Sequence, residues 1–195
     1  QSRWGINVEE DLGGGSKALV TLENRFDADS GSSAANAPFF QLANVGLQGS
    51  YGRLTAGRQW NVLFDVVTST YASFPYSPYM EAYKPELGMA MGARASNMLK
   101  YTFATPDRSF VGSLQYSFDE GSTVDKIGAA AATAGAWESA GGYLRYAANG
   151  FALGGGYLRT TLPGGTDVDA WTLGGSYRTG PWYFNTGYGL NKAKY

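Results

Sequence analysis

The chain has 195 residues, with 15 Lys and Arg against 16 Asp and Glu, a formal net charge of -1, and neither Cys nor His. That inventory excludes disulfides, thiol nucleophiles, Ser–His–Asp and Cys–His centres and the commonest metal ligand, and it supplies no basic field for nucleic acid. Hydrophobic residues make up 44% of the chain, yet no run of about 18 apolar residues occurs, which excludes helical membrane spans.

Taken in chain order, apolar and polar residues alternate with period two in short blocks, the signature of strands with two unlike faces. Trp4, Ile6 and Val8 oppose Arg3, Gly5 and Asn7, and Ala18, Val20 and Leu22 oppose Thr21, Glu23 and Arg25. Further on, Phe110, Gly112, Leu114 and Tyr116 share one face, as do Phe151, Leu153, Gly155 and Tyr157, and Trp171, Leu173, Gly175 and Tyr177. About ten strands of roughly 8–11 residues result, the length that crosses a bilayer at a tilt. They are expected near 2–10, 16–26, 40–49, 53–60, 96–103, 109–118, 137–146, 151–160, 169–178 and 182–192.

The connections alternate in length. Short, turn-rich links fall at 11–15, 50–52, 104–108, 147–150 and 179–181, and longer ones at 27–39, 61–95, 119–136 and 161–168. Tight turns at one end and long loops at the other are the layout of a transmembrane antiparallel up-and-down β-barrel. The mean hydropathy of -0.25 fits such a barrel, because only every second residue meets lipid, and it equally fits a soluble β-rich binding or adhesion module. Tyr51, Trp137, Trp182 and Tyr183 flank turns or loops, as girdle aromatics do, although a sandwich core would use the same residues.

Other motifs carry little chemistry. Glu9, Glu10 and Asp11 are consecutive on a strand, so their side chains point apart and form no acid/base pair. Gly154-Gly155-Gly156 lacks the Lys-Ser/Thr of a phosphate loop. Asp167 and Asp169 could touch a calcium ion at a loop tip, but two acids are a weak signal; no resident metal, cofactor or enzymatic activity is expected.

Two blocks resemble a known family. SRWGINVEEDLGGGSKALVTLENRF looks like the second and third strands of Gram-negative general porins of the β-proteobacterial type. VGLQGSYGRLTAGRQ looks like their fourth and fifth strands, and Pro85-Glu86-Leu87-Gly88 resembles a segment of their third loop. The resemblance implies a 16-stranded barrel of which residues 1–195 hold about ten strands, a partial barrel without the first and the C-terminal strands. It further implies a homotrimer in the outer membrane, surrounded by lipid and lipopolysaccharide, with 61–95 folded inward as a constriction loop. The implied function is a general diffusion pore for ions and small hydrophilic solutes. A sugar-specific channel is the alternative, with Tyr71, Phe74, Tyr76, Tyr79 and Tyr83 as a slide or, more simply, as anchors of the loop.

In such a pore the lining carries the chemistry. Arg3, Glu23, Arg25, Arg58 and Lys100 are expected on the inward face, and the resemblance places Arg3 and Arg58 in a basic cluster. Asp65, Glu81 and Glu86 are expected to oppose them from the loop. Tyr143, Arg145 and Arg178 share the inward parity, whereas Arg53 and Arg159 are expected to face outward near strand ends. A basic wall would favour anions.

Overall fold

The computed structural model describes residues 2–32, 39–71, 93–118, 138–162 and 165–194. Ten strands form one antiparallel sheet: β1 (Ser2–Gly13), β2 (Ser16–Phe26), β3 (Phe40–Gly49), β4 (Gly52–Trp60), β5 (Arg94–Ala104), β6 (Phe110–Ser117), β7 (Glu138–Ala148), β8 (Phe151–Thr161), β9 (Asp167–Thr179) and β10 (Trp182–Lys194). Each strand pairs only with its chain neighbours, in the order β1 to β10, so the described strands form an open length of up-and-down wall. A soluble sandwich, which needs a second sheet packed about 10 Å away, is ruled out as the arrangement of these strands.

All ten expected strands are present, with shifted ends. β1 runs on to Gly13 because Asp11 continues the ladder opposite Lys17, which shrinks the first turn to Gly14 and Gly15. β5 starts at Arg94, where the ladder to Trp60 begins. Between β7 and β8, Asn149 (φ 51) and Gly150 (φ 82) both take the left-handed conformation that a tight hairpin requires.

One element was not expected. A helix, α1 (Val62–Thr70), follows β4 directly. Asn61 caps it, its side-chain oxygen accepting from the Phe64 N–H at 2.8 Å, and Asp65 lies in the first turn, where a negative charge suits the helix end. Nine residues rich in Val and Thr would not hold a helix in isolation, so packing must supply the stability.

The two sheet faces differ sharply. One carries α1 and the buried cluster of Val62, Leu63, Val67, Tyr71, Leu158 and Ala170. The other exposes a continuous apolar surface, with Leu114 at 62%, Leu144 at 61% and Leu173 at 58%. A monomeric soluble protein rarely exposes so extended an apolar face, whereas a barrel wall turns it to hydrocarbon. Of the girdle aromatics, Tyr51 and Trp182 are exposed beside short turns, and Trp137 lies outside the described residues.

Candidate functional site: the inner wall and its docked helix

The helix sits in a seat built by glycines. On the α1 face, Gly154 and Gly156 of β8, Gly174 of β9 and Gly187 of β10 leave room for side chains of α1 and Tyr71. A Cβ added at Gly174 would lie 2.2 Å from the Tyr71 ring, and one at Gly154 would lie 2.6 Å from the Thr70 hydroxyl. Tyr71 fills the hollow at 1% exposure, and its hydroxyl shares a hydrogen bond with that of Thr172. Of the aromatics proposed as a slide, Tyr71 is thus an anchor; Phe74, Tyr76, Tyr79 and Tyr83 lie outside the described residues.

Wall side chains also satisfy both helix ends. The Val62 N–H donates to Gln115 Oε1 at 2.7 Å. At the other end, Arg145 Nε donates to the Ser69 carbonyl at 2.9 Å, and Ser176 donates its hydroxyl to the Thr70 carbonyl. These groups are the donors and acceptors that a helix cannot pair internally, and a cation at the C-terminal end also suits the helix dipole. Arg145 and Tyr143 therefore lie on the α1 face as expected from parity, and both touch the helix region.

Charge gathers near the long-connection ends of β1, β2, β4 and β5. Glu23 lies between two arginines, 3.0 Å from Arg25 and 3.6 Å from Arg3. The Arg25 guanidinium stands 5.6 Å from the Trp60 ring centre, and that of Arg94 lies 3.8 Å from it. Trp60 also stacks on Phe64 of α1, with centroids 3.9 Å apart and planes within 9°. Arg58 is buried and donates to the Ser96 hydroxyl at 3.1 Å. Lys100 bridges wall and helix, donating to Asp65 Oδ2 at 2.7 Å and to the Trp60 carbonyl at 2.9 Å. Burial pushes the Asp65 carboxyl above its ordinary value, and Lys100 pulls it back down.

Arg53 corrects the outward expectation. It pairs in register with Gln48 and Thr102, donates to Gln48 Oε1 at 2.7 Å and shares the parity of Thr55 opposite Lys100. The cause is a break in alternation. Gly57 adopts φ 120, and the β4–β5 register shifts between Gly57 and Gln59. Arg53 and Trp60, seven positions apart in sequence, consequently both sit on the helix side. Arg178 lies 4.9 Å from the Tyr183 ring near the short turn, away from the charge cluster. Arg159 faces the apolar side, as expected, and meets Asp169. Glu81 and Glu86 lie outside the described residues.

Arg94, Trp60, Gln115, Ser176 and the glycine seat are not among the residues expected from the sequence. Arg94 preceded the expected strand start, and Trp60 read as a strand end. The glycines were visible, but Gly154, Gly156, Gly174 and Gly187 become one surface only through the ladder register, which sets Gly154 opposite Gly174 and Gly174 opposite Gly187.

Comparison with known proteins adds an independent observation. The description Gram-negative porin matches residues 1–195. Outer membrane porin protein 32 of Delftia acidovorans is 33% identical over 192 residues, covering 92% of this chain and 51% of that protein. An outer membrane porin protein of Bordetella pertussis is 35% identical over 143 residues, covering 67% of this chain and 35% of that protein. The anion-selective porin from Comamonas acidovorans superposes with a TM-score of 0.76 at 28% identity, covering 98% of this chain and 58% of that one. The chain thus spans between about a third and a half of the length of these curated relatives.

Proposed function

The chain belongs to the Gram-negative porin family, and from that premise we propose that it forms part of the wall of a water-filled outer-membrane channel for passive diffusion of ions and small hydrophilic solutes. The single observation that carries this reading is the position of α1. A helix that follows β4 turns back onto the polar side of β6–β9, opposite the apolar face, and so narrows the space that the wall would enclose. In this reading 61–95 is the constriction loop and no catalytic step occurs. Solutes are sieved by size at the helix and by charge at the wall.

The lining would be Arg3, Glu23, Arg25, Arg58, Arg94 and Lys100 from the wall and Asp65 from the helix, with Tyr143 and Arg145 holding the helix in place. Five cations against two carboxylates within this set support a weak preference for anions. The anion-selective character of the Comamonas acidovorans porin points the same way. Opposed charges about 8 Å apart at an effective dielectric near 40 interact by roughly 1 kcal/mol, so the filter must be collective. A homotrimer in contact with outer-membrane lipid and lipopolysaccharide completes the proposal, on family membership.

Swelling of liposomes that contain the purified full-length protein tests the reading. Uptake of uncharged sugars should fall smoothly with size and show no saturation. Protein-free rates would refute the pore, and saturable uptake of one sugar would refute general diffusion.

A further inference from the structure

The two ends of α1 are held by different means. At the start the chain itself is the tether. The β4–β5 ladder runs up to Trp60 and Arg94, and the next residue, Asn61, is 1% exposed and donates its N–H to the Ala93 carbonyl at 2.9 Å. The Val62 N–H is fixed by Gln115, whose Nε2 donates in turn to the Ser139 hydroxyl at 3.2 Å. Parting Asp65 from Lys100 would leave Lys100, 11% exposed, without its counter-charge.

The far end is tied more loosely. Arg145 and Ser176 donate to the Ser69 and Thr70 carbonyls, and Tyr71 shares a hydrogen bond with Thr172. Water can take the place of either partner in each of these bonds, so burial of Val67 and Tyr71 is what holds this end. Against that burial stands Thr70. Thr68 and Ser69 donate their hydroxyls to helix carbonyls, to Phe64 at 2.8 Å and to Val66 at 3.4 Å. Thr70, pressed on Gly154 at 2% exposure, has a hydroxyl with no hydrogen-bond partner among the described residues. An unpaired buried hydroxyl penalises the state that buries it, and release would hydrate it. Once released, nine residues of this composition would not stay helical, so chain entropy also favours the open state.

We propose that α1 is a shutter hinged at Asn61: its Tyr71 end leaves the glycine seat and returns, while its Val62 end stays fixed. The released state widens the lumen briefly and passes solutes too large for the docked one. Such local opening needs only a weakly held end and a fixed pivot. The hinge does not depend on conduction; only its effect on flux rests on the channel reading above.

Thiol labelling tests it, because residues 1–195 hold no cysteine. Ser69→Cys, Thr70→Cys and Val62→Cys variants of the detergent-purified full-length protein, each checked for folded-barrel mobility in unheated gels, are treated with a charged methanethiosulfonate. Ser69→Cys, at an exposed position, should react at once. Thr70→Cys should react about tenfold faster than Val62→Cys, although both positions are at most 2% exposed. Adding Ser176→Ala, which removes one tie at the Tyr71 end, should speed Thr70→Cys further and leave Val62→Cys unchanged. Equal rates at the two positions, or a Thr70→Cys thiol that stays unlabelled while Ser69→Cys reacts, would overturn the hinge. In planar bilayers Thr70→Val, which keeps the shape and removes the unpaired hydroxyl, should make brief upward current steps about fivefold rarer. Steps that are as frequent as in the wild type, or more so, would overturn the role of Thr70 in release. Fast Thr70→Cys labelling in a protein that passes no current would sink the channel reading and leave the hinge standing.

Discussion

At Trp60 the indole lies between the Phe64 ring and the Arg94 guanidinium, with Arg25 close by. Stacked and cation–π contacts contribute about 0.5–2 kcal/mol each, enough to fix where two guanidinium groups stand. Replacing Trp60 with Leu should leave the strands paired yet weaken anion preference, seen as a smaller reversal potential in a salt gradient. Arg58→Ser should act in the same direction by removing a charge. At roughly 1 kcal/mol per opposed pair, the permeability ratio should shift by up to about fivefold. An unchanged ratio would mean that Arg58 does not face the solute path. Asp65 should respond to pH. Its carboxyl is raised by burial, so acidification protonates it above the ordinary carboxylate range. The wall gains net positive charge as pH falls, and anion preference should increase there in the wild type but not in Asp65→Asn.

Among the elements, α1 depends on the wall for its existence. Gly174→Leu would drive a side chain into the Tyr71 ring and should expel the helix while the β8–β9 ladder persists. Expulsion should raise single-channel conductance and expose α1 to protease. Tyr71→Ala should weaken docking by about 3–5 kcal/mol, since it leaves a cavity and unpartners Thr172. The strands were legible because one face of each is apolar and period two holds within most of them, β4 near Gly57 excepted. The helix was not, because Val62, Val66, Val67, Thr68 and Thr70 are β-branched and read as strand or loop; only Asn61 with Asp65 hinted at a cap. The inward side of Arg53 was lost for a related reason, since one glycine at φ 120 shifts the register and with it the parity. The charged face was partly legible, as simple alternation puts Arg3, Glu23, Arg25 and Lys100 on the side of the sheet that carries α1.

For the whole molecule the decisive asymmetry is between the two faces. The described strands bury little apolar surface except beneath α1, and the opposite face would be unstable in water. Lipid must supply what a second sheet supplies in a sandwich, while the ladder satisfies the backbone. Leu144→Arg, on the outer face at 61% exposure, should cost about 2–4 kcal/mol in urea unfolding from lipid bilayers if it lies near the midplane. Asn185→Arg, half-buried on the α1 side of β10 opposite Ser176, should cost less in membrane stability, because its head would reach water and not hydrocarbon. Equal costs would mean that the faces are wrongly assigned. The full-length protein reconstituted in a planar bilayer under a tenfold salt gradient provides the most direct measurement. Conductance steps should be ohmic, with a reversal potential of the sign set by anion preference that is reduced in Arg58→Ser. Absence of conductance steps, or a cation-signed potential indifferent to that substitution, would contradict an anion-preferring pore lined by Arg58.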